Sequence, residues 1–250
     1  MSNRIQSLTI QPHSLVPAEA ELRLIVVPDH VNTGTAIRGR LVGPQCRFAT
    51  TVEVAYPFRP LLVPTGTDAL TVRAIIPEAS LWEPECPHLY TAVVELWQDG
   101  QLAETVTVRC GLRSLVLGPR GLRLNGRVLW LEGRAVERLD EAEALGMRQS
   151  GHNLVIAPVD AASEPLWTLA DEIGLLVLGR VNSPDDLPHL PGLGRHPAAL
   201  GWIGPPGLEI PPRLAGGGLI VTEGAVAQAD ITLTSGQLCT PHGVLGSVRE

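Results

Sequence analysis

The stretch YTAVVELWQDGQLAETVTVRC, Tyr90 to Cys110, decides how the first half of the chain reads. Tyr90, Ala92, Val94 and Leu96 face one way, and Leu102, Glu104, Val106, Val108 and Cys110 form the next run, with Glu104 the one polar exception. Alternation with period two is the signature of a strand with one face buried. Between the runs lies Gln98-Asp99-Gly100-Gln101, and Asp-Gly supplies the positive φ angles of a tight hairpin turn. Upstream, Leu70, Val72, Ala74 and Ile76 share a face, as do Phe48, Thr50, Val52, Val54 and Tyr56, and Leu22, Leu24 and Val26. Ile5–Ile10 and Thr35–Leu41 complete the set. About seven strands in roughly 110 residues predict an immunoglobulin-like β-sandwich. The inter-sheet cysteine pair of antibody domains is not evident, so the likeness is one of architecture.

Past residue 113 strands alternate with helices. Val128–Leu131 reads as a short strand, and Leu139–Gln149 has helical spacing, with Leu139, Ala142, Leu145 and Met147 able to share a face. Asn153–Ala157 is again strand-like. Ser163 is placed to cap a helix that carries Leu166, Leu169, Ala170 and Ile173 inward and stops at Gly174. Leu175–Leu178, Ala199–Ile203, Leu219–Thr222 and Asp230–Leu233 follow as strands. This alternation implies parallel βα units. The predicted organisation is a multidomain β plus α/β protein, with the sandwich over 1–113 and a barrel-like domain over 114–250. A complete (β/α)8 barrel takes roughly 250 residues, so about five or six strands fit into the second part.

Composition narrows the chemistry. The 250 residues carry a net charge of −7, with 19 basic residues that are all arginine. Without lysine there is no Schiff-base lysine and no phosphate-loop lysine. An acidic chain without a basic run is a poor nucleic-acid ligand, and no apolar run is long enough to span a bilayer. The four cysteines (Cys46, Cys86, Cys110, Cys239) and seven histidines show no metal-ligand spacing, so neither a metal nor a cofactor is expected. Met1 to Pro12 lacks a secretory pattern, which predicts a cytoplasmic protein.

Five segments resemble glycoside hydrolase family 2, the β-galactosidase and β-glucuronidase family. They are Leu81-Trp82-Glu83-Pro84-Glu85-Cys86-Pro87-His88-Leu89-Tyr90, then Gly111-Leu112-Arg113, Leu122-Arg123-Leu124-Asn125-Gly126-Arg127-Val128, Ala170-Asp171-Glu172-Ile173-Gly174-Leu175-Leu176-Val177 and Arg195-His196-Pro197-Ala198-Ala199-Leu200-Gly201-Trp202. Each alone is weak, and their shared order over 81–202 is specific. The resemblance implies an immunoglobulin-like sandwich before a TIM barrel, in line with the split at residue 113. It also implies a carbohydrate ligand.

Retaining glycoside hydrolysis needs two carboxyl groups about 5–5.5 Å apart. The family's acid/base Glu follows an Asn just after the fourth barrel strand. Here those places fall on Pro206 and Gly207, and Glu209 lies two residues further on. Leu219-Ile220-Val221-Thr222-Glu223-Gly224 resembles either the family's fifth strand or its seventh. The seventh would make Glu223 the nucleophile, and the fifth reading is favoured because it keeps the family's spacing. The Asn and His of the first strand tip and the Arg, His and Tyr of the second are also replaced. Loss at the strand tips with the strand bodies kept predicts a catalytically inactive relative that binds carbohydrate or protein. The alternatives are a working O-glycosidase using Glu209 and Glu223, and a purely structural interaction module. His196 is expected to shape a turn or a cap, Trp202 to lie in the core, Trp82 to anchor the sandwich and Trp97 to sit at the surface or at the domain junction. Glu137, Asp140, Glu141 and Glu143 read as a solvated helix face. An incomplete barrel would leave Val128–Leu131 without a partner strand and Leu154, Ile156 and Val177 partly exposed. Either the C-terminal stretch 216–250 then folds back, or two chains associate edge to edge.

Overall fold

The computed structural model describes residues 3–16, 18–61, 68–216, 218–223 and 231–249. The chain divides into two compact units, one formed by residues 1–81 and 88–112, the other by 82–87 and 113–250.

In the first unit, eight strands form two antiparallel sheets. They are β1 (Ile5–Val16), β2 (Glu19–Pro28), β3 (Thr35–Gln45), β4 (Val54–Pro57), β5 (Arg59–Leu61), β6 (Leu70–Pro77), β7 (Leu89–Gln98) and β8 (Gln101–Cys110). The sheets run β1-β2-β6-β5 and β4-β3-β7-β8. The alternation read from sequence sorts the faces: Leu22, Leu24, Val26, Val72, Ala74, Ile76, Ala92, Val94 and Leu96 are all buried in one core. Full burial of each Leu, Ile or Val is worth about 1.5–3 kcal/mol. The β7–β8 turn has Asp99 and Gly100 at φ 51° and 80°, as the Asp-Gly pair predicts. Glu104 breaks the apolar run because its carboxylate accepts the Ile5 backbone N–H at 2.5 Å, joining the edge of one sheet to the start of the other. The expected run from Phe48 to Tyr56 is corrected: β4 begins only at Val54, and Val52 is 81% exposed. Residues 46–53 find no partner strand, since β4 meets β3 only opposite Arg40 to Gly43.

In the second unit, β9 (Leu115–Gly118), β10 (Gly121–Leu124) and β11 (Arg127–Val128) make a small antiparallel sheet. The strand expected at Val128–Leu131 is therefore divided. Val128 belongs to this sheet, and the first barrel strand starts at Leu131.

A closed barrel follows, of β12 (Leu131–Ala135), β13 (Leu154–Pro158), β14 (Leu176–Arg180), β15 (Ala199–Gly204), β16 (Leu219–Glu223), β17 (Ile231–Thr234), β18 (Gln237–Thr240) and β19 (Gly243–Arg249). From β12 to β17 neighbouring strands are parallel; β18 is antiparallel to both β17 and β19, and β19 closes on β12 in parallel. Helices α1 (Glu141–Gln149), α2 (Glu164–Ile173), α3 (Leu190–Leu193) and α4 (Pro212–Ala215) connect the strands from β12 to β16.

The open edge expected at the first barrel strand is thus filled. Leu154, Ile156 and Val177 are at most 1% exposed. The count of five or six strands assumed a helix after each strand. A meander of three short strands needs only 19 described residues, from Ile231 to Arg249, to supply the last three staves. The sequences of the strands follow this change. Strands backed by helices are apolar on both faces, as in Leu154-Val155-Ile156-Ala157 and Leu176-Val177-Leu178. The meander strands alternate, as in Ile231-Thr232-Leu233-Thr234 and Gln237-Leu238-Cys239-Thr240, because their outer face meets water.

Local signals hold with adjustments. Asp140 caps α1 by accepting from Glu143 N at 2.8 Å, and Arg134 binds the Glu143 carboxylate. The inward face of α1 is Ala144 and Met147; Ala142 is exposed. Ser163 stands at the N-cap of α2, but its hydroxyl donates to Asp160 O at 2.8 Å and caps no N–H. Gly174, at φ 83°, ends α2 as predicted.

Candidate functional site

The C-terminal tips of the parallel strands are where a barrel carries chemistry. Here they are Ala135, Pro158, Arg180, Gly204, Glu223, Thr234 and Arg249. Arg180 stands in register with Ile203, which pairs with Val221. Glu223 lies two residues beyond Val221, so Arg180 and Glu223 project on the side of the buried Ile203 and Val221. They meet across the end of β15, with Arg180 Nε 3.4 Å from Glu223 Oε1. Both side chains are about a third exposed (35% and 38%), where an ion pair is worth about 0–1 kcal/mol. Its consequence is chemical: the carboxylate of Glu223 faces a fixed cation.

Glu223 ends the fifth barrel strand, the position favoured from its spacing. The seventh place is taken by β18, Gln237-Leu238-Cys239-Thr240, which has no carboxyl. At the end of the fourth strand, Gly204-Pro205-Pro206-Gly207 has none either. Glu209 is exposed in the segment after it.

The segments that carried the family resemblance come together elsewhere, on the side where the strands begin. The Trp82 indole N–H donates to Asp171 O at 2.9 Å, and Asn125 Nδ2 donates to Trp82 O at 3.0 Å. The Arg113 guanidinium lies 5.9 Å from the Trp82 ring centroid and donates to Ala199 O. Asp171 Oδ1 accepts from Ala198 N at 2.9 Å, and its Oδ2 is 2.6 Å from His196 Nδ1. Arg148 donates to the carbonyls of Pro84, Glu85 and Ile173. Trp82, Arg113, Asn125, Asp171 and His196 are thus one network inside the second unit. Trp82 anchors this unit rather than the sandwich, because residues 82–87 leave the first unit to pack here. The sequence reading missed Trp167 and Asp171 as buried groups of α2. An Asp one turn from a helix end facing a His-Pro turn was the available signal. Trp202 is core as expected, 1% exposed, donating to Ala215 O and stacked obliquely 5.5 Å from Trp167. In the sandwich, Trp97 lies beneath Arg38 at 4.6 Å.

Burial is the largest influence on each charge in this network. It pulls the Arg113 pKa down to about 10 against the opposing charge of Asp171, and it raises the Asp171 carboxyl above its ordinary value. At His196 burial opposes the charged ring, but Asp171 at Nδ1 and Glu164, 3.3 Å from Nε2, outweigh it, so its pKa stands above the usual histidine value. Arg195, bonded to Glu164 at 2.5 Å, works the other way. A raised folded pKa gives stability that is complete below the unfolded value near 6.5 and is lost as pH rises through the folded one. The melting temperature should therefore fall from pH 6 toward pH 9 more steeply in the native protein than in His196→Asn. Equal slopes would show that His196 holds no proton that folding uses.

Residues 3–113 match the family model of glycosyl hydrolases family 2. Among solved structures, a glycosyl hydrolase family 2 member from Bacteroides cellulosilyticus is similar, with TM-score 0.64 and 15% identity, covering 91% of this chain and 36% of that one. A Parabacteroides merdae β-glucuronidase gives TM-score 0.65 and 17% identity over 90% of this chain and 35% of its own. A β-glycosidase from Bacteroides vulgatus gives 0.64 and 16%, over 88% and 34%. The chain spans about a third of the length of these structures. A β-sandwich followed by an eight-stranded barrel defines the class of fold that the chain shares with these structures. Residues 3–113 are thus similar to a glycosyl hydrolases family 2 domain, and over the rest of the chain the likeness to these structures is one of fold.

Proposed function

We propose that this protein is a catalytically silent relative of the family 2 glycosyl hydrolases that acts by binding carbohydrate. The observation that carries the reading is the end of the fourth barrel strand, where Gly204-Pro205-Pro206-Gly207 offers no group able to give or take a proton. The vacancy at β18 and the Arg180–Glu223 pair support it. A carboxyl pair flanking a glycosidic bond is what the reaction requires, and one carboxylate held by an arginine does not supply it. What the molecule keeps is the motif network that builds the barrel's foot, a requirement of folding rather than of turnover.

Hydrolysis of aryl β-galactosides and aryl β-glucuronides is expected to stay at the rate measured without protein. Glu209→Gln and Glu223→Gln should leave that rate where it was. Turnover that disappears in either variant would make the protein a working glycosidase and overturn the reading.

A further inference from the structure

The five tryptophans are not used alike. Trp82, Trp167 and Trp202 are at most 1% exposed, and Trp97 is covered by Arg38. Trp130, just before β12, is 51% exposed. It is nevertheless held in place. Its indole N–H donates to Glu132 Oε1 at 2.9 Å, and Glu132 Oε2 accepts from Ser247 Oγ at 2.9 Å. Asn153 fastens the backbone on both sides, its Nδ2 donating to Trp130 O at 2.8 Å and its Oδ1 accepting from Glu132 N at 2.9 Å. The Trp130 hydrogen bond, first, and then that of Ser247 hold the Glu132 carboxyl below its usual range, and Arg249 and His152 add to this by their charge. The ring is therefore fixed at its polar edge while much of its surface stays in water.

We propose that Trp130 is the floor of a surface saccharide site beside the start of β12, with Glu132 and Ser247 as its polar rim. The negative π-face of an indole attracts the polarised C–H bonds of a pyranose whose hydroxyls are equatorial. The rim supplies both donors and acceptors for those hydroxyls. A ring already immobilised loses little entropy on binding. This inference rests on the carbohydrate-binding reading and places the sugar away from the strand tips.

Cellotetraose, an oligosaccharide of all-equatorial rings, titrated into the full chain should change tryptophan fluorescence and give a binding isotherm by calorimetry. Trp130→Ala should weaken binding at least about tenfold, or about 1.4 kcal/mol, with an unchanged melting temperature. Trp130→Phe keeps an aromatic face and should bind within about threefold of the native protein, yet show no fluorescence change. Glu132→Gln should weaken binding less than Trp130→Ala. Equal binding by the native protein and Trp130→Ala overturns the site. Binding lost in Glu223→Gln and kept in Trp130→Ala moves the sugar to the strand tips; it removes this inference and leaves the carbohydrate-binding reading standing. No binding in either measurement removes both.

Discussion

Gly246→Val is expected to break the barrel. Gly246 stands opposite Leu131 where β19 closes on β12, and a Cβ at this position would lie 2.0 Å from Leu131 O and 2.5 Å from Leu131 Cβ. The obstacle is backbone, which cannot swing aside as a side chain would. Overpacking in a core typically costs about 1–3 kcal/mol. Here the same displacement also loosens the pairing of Glu132 with Ser247, Gly133 with Val248 and Arg134 with Arg249, so the loss should reach about 3 kcal/mol or more. That corresponds to a fall of about 10 °C in Tm for a chain of this size. The buried Trp167 and Trp202 report on the barrel, so fluorescence should register the transition. Gly118→Ala is the matched control: nothing lies within 4 Å of its Cβ position, and its effect should stay within about 0.5 kcal/mol. If both variants melt with the native protein, the seam between β12 and β19 does not hold the barrel closed.

The second large effect is expected at Asp171. In Asp171→Ala, His196 loses its partner at Nδ1, the Ala198 N–H loses its acceptor, and the buried Arg113 loses the charge that opposes its desolvation. Removing one member of a buried charged pair typically costs about 3–5 kcal/mol, because the rest stays behind unpaired. Asp171→Asn keeps an oxygen for Ala198 N and should cost clearly less. Denaturation in urea, followed by fluorescence, measures both. A loss below about 1 kcal/mol for Asp171→Ala would mean that the network adds little to the unit it joins.

Both predictions concern the foot and the seam of the barrel, and this reflects how the family's pattern is divided in this chain. Residues such as Trp82, Arg113, Asn125, Asp171 and His196 satisfy one another's buried polar groups, so loss of one leaves the others unsatisfied. Residues at the strand tips meet solvent or ligand, and a change there carries no such penalty.

The sequence by itself determined the sandwich, the Asp99-Gly100 hairpin, the helix stop at Gly174 and the place of Glu223 on a fifth strand. Each rests on a local rule: period-two burial, positive φ at two residues, or spacing from the strand before it. The sequence also showed that Gly204-Pro205-Pro206-Gly207 carries no carboxyl, because a missing carboxyl is legible without coordinates. Only the tertiary structure decided the rest. Leu238 and Leu245 are buried in a closed barrel because β19 pairs with β12, a strand far away in sequence, and no local periodicity names a strand's partner. Glu223 faces Arg180 because two strand ends separated by a third point the same way. Trp82 belongs to the second unit because its indole finds a carbonyl at residue 171, a pairing across 89 positions that nothing near Trp82 encodes.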